Sequence, residues 1–167
     1  TIWMDSNFGA DGRIANPSIA TVVNSEVKGL VGGDIILCHH NAFNMGAISG
    51  NLVGDTGVKD ENGRSLFSIN TDFIYIRIRD GVMTPMEGYI IAERIKQEHN
   101  SLIVRPVSAT EPNRFKAVKV GEGCEPMKEG DTIVCFKYSD YEIEYNLNKK
   151  RHSVIRIKID DVLGIEN

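Results

Sequence analysis

The side chains most suited to metal binding or nucleophilic chemistry in this 167-residue chain belong to three adjacent residues, Cys38, His39 and His40. Thiolate and imidazole groups are the ligands that Zn²⁺ favours. Adjacent residues of a strand point to opposite faces, so these three side chains cannot easily converge on one ion. The sequence contains no second Cys or His group with the spacing of metal ligands. We therefore expect no metal site and predict that the two histidines end a strand.

Catalysis by a cysteine or by carboxylates is not indicated either. A Cys–His nucleophile pair needs a positioned base and an oxyanion site, and no motif marks either one. Asp140, Glu142 and Glu144 alternate along one potential strand, which is typical of a solvated face rather than of an acid–base pair. A Gly-rich turn in a βαβ context, the signature of dinucleotide binding, is absent from the sequence. The sequence therefore predicts a protein that is not an enzyme and that needs no cofactor.

Composition and charge further limit the class of protein to which this chain can belong. The chain has 19 Lys and Arg against 23 Asp and Glu, a formal net charge of −4. Without a basic cluster interleaved with aromatic residues, this balance disfavours a nucleic-acid partner. No apolar run approaches the length of a membrane span, and no basic-then-apolar leader is present. The odd count of three cysteines favours a reducing compartment over a disulfide scaffold. We expect a soluble cytoplasmic protein without a membrane partner.

An internal repeat organises the elements that would position any site. The peptide Gly-Asp-Ile-Ile-Leu-Cys at residues 33–38 returns as Gly-Asp-Thr-Ile-Val-Cys at residues 130–135, an offset of 131 − 34 = 97. Upstream, at the same offset and without a gap, residues 20–23 lie over residues 117–120, and both segments alternate as strands do. Two copies of one segment indicate a duplicated domain rather than a solenoid.

Alternating apolar and polar residues predict strands along most of the chain. Residues 73–79 and 154–159 both alternate and both follow a Gly-Asp strand, so we pair these two segments as equivalents. A third pairing sets residues 2–5 against residues 90–93. No long stretch has a 3.6-residue period. We therefore predict an all-β fold made of two small β-barrels in tandem, which would close their own edges.

Proline interrupts the strand pattern near Thr84-Pro85-Met86, and we place a domain boundary there. The predicted domains are residues 1–85 and 86–167. The first domain carries a long insertion near residues 46–63, rich in Gly, Asn and Asp, which indicates a loop or a projecting hairpin. The second domain carries its own long loop at residues 96–113.

Several segments of residues 86–167 resemble, in the same order, the GroES (chaperonin-10) family of co-chaperonins. These segments are residues 89–94, which look like that family's opening strand, residues 119–123, which resemble its "AVGNG" turn, residues 127–134, which resemble its "VKVGDIVIF" strand, and residues 160–165, which resemble its closing "SDILAIV". The first domain resembles the family only through its core strands. The resemblance implies two tandem GroES-like barrels, as in plastid co-chaperonins, and other details are similar to a viral relative.

The resemblance also implies a function and a binding site. Subunits of this family form a seven-fold ring that caps a GroEL-type chaperonin, which itself binds the ATP. Leu102, Ile103 and Val104 sit where GroES proteins carry the aliphatic tripeptide of their mobile loop, so the resemblance implies that these three residues bind the partner. Docking of such a loop couples ordering to binding and therefore gives weak single contacts that a ring sums into avidity. The alternative is that the three residues form one more buried strand.

Three departures from the family pattern keep a second hypothesis open. Asn100-Ser101 replace the paired glycines before the tripeptide, and the equivalent stretch of the first copy, residues 7–12, has no aliphatic tripeptide. The hairpin that roofs the GroES dome is reduced to a short turn in both copies. Since a fold does not determine a function, the chain could instead be a structural or assembly protein, for example a phage virion component built from GroES-like domains.

Overall fold

The structure, a computed structural model, describes residues 14–15, 18–39, 42, 55–96 and 110–166. Strands dominate these ranges, which confirms the predicted all-β class. The strands are β1 Ile14–Ala15, β2 Ser18–Thr21, β3 Ile35–Cys38, β4 Asp55–Lys59, β5 Ser65–Phe67, β6 Ile74–Arg79, β7 Val82–Pro85, β8 Tyr89–Lys96, β9 Thr110–Val120, β10 Thr132–Cys135, β11 Tyr141–Leu147, β12 Lys150–Lys158 and β13 Val162–Glu166. Short 3-10 helices at Thr71–Phe73 and Ile159–Asp161 each lead directly into a strand. None of the helices in the described ranges has the length and apolarity that a bilayer span requires.

The chain divides into two compact units. The first unit is Asn16–Met83, and the second combines Thr84–Asn167 with Thr1–Ala15. In the second unit, β1 runs parallel to β11, with Ile14 opposite Glu142. The prediction of two GroES-like domains at residues 1–85 and 86–167 stays a prediction.

The second unit is a seven-stranded sheet in the order β1-β11-β12-β8-β9-β10-β13. Apolar residues at alternating positions of these strands enclose one core, because alternate side chains of a strand face the same side. The buried members of this core are Ile90, Ala92, Phe115, Ala117, Cys124, Met127, Ile133, Cys135 and Ile157.

The first unit holds β2, β3 and β6 of the four-stranded sheet β2-β3-β6-β7, together with the β4–β5 hairpin, and the boundary between the units falls within β7. Its core includes Leu37 and Ile76, which are fully buried and directly opposite each other across β3 and β6. The amide of Gly63 donates to the Asp60 carbonyl at 2.9 Å and closes a tight turn. It links β4 to β5, with Gly63 at a φ of 77°.

The repeated peptide adopts the same local geometry in both units. In each copy the aspartate side chain accepts a hydrogen bond from the amide three residues earlier, at 2.9 Å for Val31 to Asp34 and 2.8 Å for Lys128 to Asp131. Gly33 and Gly130, with φ of 91° and 94°, make the left-handed turn that glycine permits. The strands that follow, β3 and β10, match residue for residue at the predicted offset of 97.

The predicted ungapped match upstream of this peptide is wrong by two residues. Thr21 lies opposite Ile35, whereas Lys116 lies opposite Thr132. The offset between β2 and the matching part of β9 is therefore 116 − 21 = 95. A shift of two residues preserves which side chains face the core, so alternation in the sequence cannot reveal it.

The predicted equivalence of residues 73–79 with residues 154–159 is also wrong. The strand beside β3 is β6, and the strand beside β10 is β13. Both strand pairs shift their register at the same place, between Leu37 and Cys38 in β3 and between Val134 and Cys135 in β10. Both β6 and β13 also directly follow a 3-10 helix. The true equivalent of β6 is therefore β13, at an offset of 162 − 74 = 88.

The predicted insertion at residues 46–63 is partly described. Residues 46–54 lie outside the described ranges, and residues 55–63 form β4 and the turn after it. The β4–β5 hairpin follows β3 in the chain as the β11–β12 hairpin follows β10. The segment from β3 to its 3-10 helix spans 71 − 38 = 33 positions, against 159 − 135 = 24 in the other copy. The first copy is thus nine residues longer between equivalent elements.

Candidate functional site

The structure brings the two ends of the predicted docking loop together. Strand β8 ends at Lys96, strand β9 begins at Thr110, and these two residues are antiparallel partners. The 13 residues from 97 to 109, which include Leu102, Ile103 and Val104, lie outside the described ranges. Of the loop predicted at residues 96–113, the described ends belong to strands, because β9 extends further than the sequence pattern indicated.

A cluster of charged and polar side chains supports the strand that leads into this loop. We call it the loop base, and it consists of Arg94, Asp140, Glu142 and Ser153. Arg94 Nη1 donates to Asp140 Oδ2 at 2.5 Å, and Arg94 Nη2 lies 3.4 Å from Glu142 Oε2. Ser153 Oγ donates to Glu142 Oε1 at 2.8 Å. Hydrogen bonds between ionised partners are the stronger kind, so the loop base ties the end of β8 to the β11–β12 hairpin.

The other strand of the loop is held by the core. Phe115 of β9 lies opposite Arg94 and is buried within the apolar cluster of the second unit. Ala117, two residues further along β9, is fully buried in the same cluster. A loop leaving this pair of strands therefore starts and ends on backbone that packing and ion pairs hold in place.

The interpretation of three carboxylates as one solvated face is wrong for Asp140. This residue precedes β11, is only 7% exposed, and is ion-paired with Arg94. Glu142 and Glu144 do lie on β11 at alternate positions, but each faces an arginine, Arg94 and Arg151 respectively. The sequence pattern showed the alternation on the strand; it did not show which cations the sheet would bring opposite.

The cysteines are held as buried thiols. Burial raises the pKa of Cys38 and of Cys135 to about 12, and it also raises the pKa of Cys124. All three are reduced and buried. A thiol with such a pKa stays protonated at neutral pH and is a poor nucleophile. Cys124 and Cys135 share one core cluster.

Cys38 and His39 occupy a strand end, as the sequence predicts. Cys38 closes β3, and the amide of His39 donates to the Phe73 carbonyl at 2.8 Å. The His39 ring lies 5.7 Å from the Phe73 ring and 6.1 Å from the Tyr75 ring. His40 lies outside the described ranges. Within those ranges, no three His, Cys, Asp or Glu side chains are grouped in a way that could hold a metal ion.

No pattern in the sequence indicates the loop base. Arg94 lies inside the segment that resembles an opening strand, but its partners are 46 and 48 residues away. Only a correct pairing of β8 with β12, and of β12 with β11, would have brought them together.

Comparison with known proteins identifies the family. The chain is 33% identical over 90 residues to the Co-chaperonin GroES of Helicobacter acinonychis, a match that covers 50% of this chain and 73% of that protein. It is 34% identical over 88 residues to the Co-chaperonin GroES of Helicobacter pylori strain Shi470, covering 48% and 71%. No protein-family model matches the chain. With a relative of this identity covered over most of its length, the chain belongs to the GroES co-chaperonin family.

Proposed function

We propose that this protein is a non-enzymatic co-chaperonin that caps a GroEL-type chaperonin and so assists protein folding. Its membership of the GroES family carries the proposal, since the relatives it matches are named co-chaperonins. In this role the partner binds the ATP. Identical copies of this chain form a ring, which has no cofactor or metal of its own. Its three reduced, buried cysteines suit a cytoplasmic location.

The docking element of the proposal is the segment 97–109, through Leu102, Ile103 and Val104. This assignment is supported by the pairing of the strand ends Lys96 and Thr110, and by the loop base, which holds β8 near its end. Fixing one loop conformation on a partner costs conformational entropy, so docking of this kind gives weak single contacts that release easily. A ring of such loops gains avidity from the linked contacts.

The test is a pull-down with GroEL in the presence of ATP. We expect a nucleotide-dependent complex with the natural chain and its loss in the Leu102→Asp, Ile103→Asp double variant, because charges cannot enter an apolar groove without a large desolvation cost. The matched control is the Val31→Asp, Val58→Asp double variant, since both valines are exposed outside the loop. Binding by the control but not by the loop variant supports the proposal. The absence of any nucleotide-dependent complex with the natural chain would refute it.

A further inference from the structure

A turn in the second unit exposes two aromatic side chains. We call residues 136–139, which follow β10, the aromatic turn. Phe136 is 54% exposed and Tyr138 is 57% exposed. Between them, the ammonium of Lys137 lies 4.9 Å from the centre of the Tyr138 ring. Aromatic residues are enriched where proteins bind one another, so this turn is a candidate contact surface.

The backbone of the aromatic turn is held in an unfavourable conformation. Tyr138 has a φ of 71°, in the left-handed region that a bulky residue rarely adopts. The Phe136 carbonyl fixes the turn by accepting hydrogen bonds from Ser139 Oγ at 2.7 Å and from the Ser139 amide at 3.3 Å. The Phe136 amide donates to the Asp161 carbonyl at 2.9 Å. Glycine would adopt the φ of Tyr138 with little strain, so the tyrosine carries a cost that the fold itself does not require.

The aromatic turn lies at the end of the sheet where the proposed docking segment, residues 97–109, leaves β8 and returns to β9. On one flank of the turn, Val134 of β10 pairs with Arg114 near the start of β9. On the other flank, Asp140 is ion-paired with Arg94 near the end of β8. Both flanks of the turn therefore contact the two strands that carry the docking segment.

The sequence of the first copy has neither of these aromatic residues. At the offset of 97 that aligns β3 with β10, Phe136 and Tyr138 match His39 and Asn41. The first copy also has no aliphatic tripeptide in its equivalent stretch, residues 7–12. The aromatic turn and the aliphatic tripeptide thus occur together in one copy and are both missing from the other, which indicates that they serve one partner.

We propose that the aromatic turn is a second contact with the chaperonin, through Phe136 and Tyr138. The inference rests on the proposed function and adds a contact surface to it. Position determines the partner, because docking through residues 97–109 brings the same end of the sheet against the chaperonin. The turn is already fixed before binding, so its side chains lose little freedom when they pack on an apolar part of that surface. This contact adds to the one aliphatic tripeptide that serves both units.

The decisive variant is Tyr138→Gly, made in the full chain. Because glycine relieves the strain at this positive φ, the thermal midpoint should not fall. The affinity for GroEL in the presence of ATP should nevertheless fall about tenfold or more. A purely structural role of Tyr138 would not give this combination. Asn148→Gly is the matched control, because Asn148 also has a positive φ, 51°, and is exposed at the turn between β11 and β12. It should leave the affinity unchanged.

Phe136→Ser provides a second measurement and should weaken GroEL binding in the same way, whereas Val23→Ser, at an exposed valine of the first unit, should not. If the natural chain binds GroEL and both turn variants bind equally well, this inference is overturned and the proposed function stands. A natural chain that does not bind GroEL overturns both.

Two other occupants of the turn would also overturn the inference. A lower assembly mass in the turn variants would assign the turn to a contact between copies of this chain. Unchanged GroEL binding with a lower yield of folded protein would assign it to the polypeptide that is being folded.

Discussion

At the scale of single residues, Asp34 determines how the repeated turn of the first unit responds to acid. Its carboxylate is buried and accepts hydrogen bonds from Arg79 Nε at 2.6 Å and Arg79 Nη2 at 2.7 Å, and from the Val31 amide at 2.9 Å. The Arg79 hydrogen bond is the main reason why the pKa of Asp34 falls from its ordinary 3.8 to about 2, while burial opposes the shift. Because the pKa is lower in the folded state, this carboxylate stabilises the fold above pH 4, and the stabilisation is lost as the pH falls towards 2.

Replacement of this aspartate should therefore remove part of the acid sensitivity. We expect Asp34→Asn to lower the thermal midpoint at neutral pH and to flatten the decline in stability between pH 4 and pH 2, measured by circular dichroism. Asp131→Asn is the matched control, because Asp131 makes the same amide contact and the residue matching Arg79 is Asn167. Equal pH profiles for the two variants would contradict the role assigned to Arg79.

The three cysteines should be unreactive in the folded protein. Burial raises the pKa of Cys38 and of Cys135 to about 12, so thiolate, the reactive form, is scarce at any pH well below that value. With Ellman's reagent at pH 8, we expect negligible reaction of the native chain and three equivalents after denaturation. Rapid modification of even one thiol in the native protein would show that the structure around that cysteine opens easily.

At the scale of elements, the loop base is the joint between β8 and the β11–β12 hairpin. Arg94→Gln leaves the buried carboxylate of Asp140 without its cation. An unsatisfied buried acceptor costs about 1–3 kcal/mol, and a charged one costs more. We expect a loss of this size in the free energy of unfolding from denaturant titration. Adding Asp140→Asn to Arg94→Gln should recover part of the loss, since the uncompensated charge is then absent.

The exposed ion pair of Arg151 with Glu144 is the matched control for that measurement. Arg151 has 72% of its side chain exposed, and an exposed pair contributes about 0–1 kcal/mol. Arg151→Gln should therefore change the stability much less than Arg94→Gln. Similar losses in the two variants would show that burial of Asp140 does not decide the energetics of the loop base.

At the scale of the whole molecule, each unit has its own buried residues. A substitution of a buried residue should therefore destabilise mainly the unit that contains it. Ile133 and Ile36 occupy the same position of the repeated strand and are both buried. Shortening a buried isoleucine to alanine typically costs about 2–5 kcal/mol. We expect Ile133→Ala to raise hydrogen exchange in the second unit and Ile36→Ala to raise it in the first. Equal increases throughout the chain from either substitution would show that the two units unfold as one.

The sequence alone was sufficient for the local structure of the repeat. Gly33 and Gly130 take the positive φ that only glycine adopts at little cost, and Asp34 and Asp131 bond to amides three residues away. These interactions are short-range and depend on the Gly-Asp pair that both copies share, so each copy forms them independently of its surroundings. The motifs of residues 86–167, which occur in the same order as in the GroES family, likewise indicated that family, and comparison with known proteins confirmed it.

Only the tertiary structure decided which strands are neighbours. Residues 73–79 and 154–159 alternate equally well, yet β13, with an exposed leucine and glycine, is the strand that matches β6. Alternation tells which face of a strand is buried, but it carries no information about the partner or about a shift of two residues. The Arg94–Asp140 pair follows from strand pairings between distant segments, and those depend on how the whole chain packs.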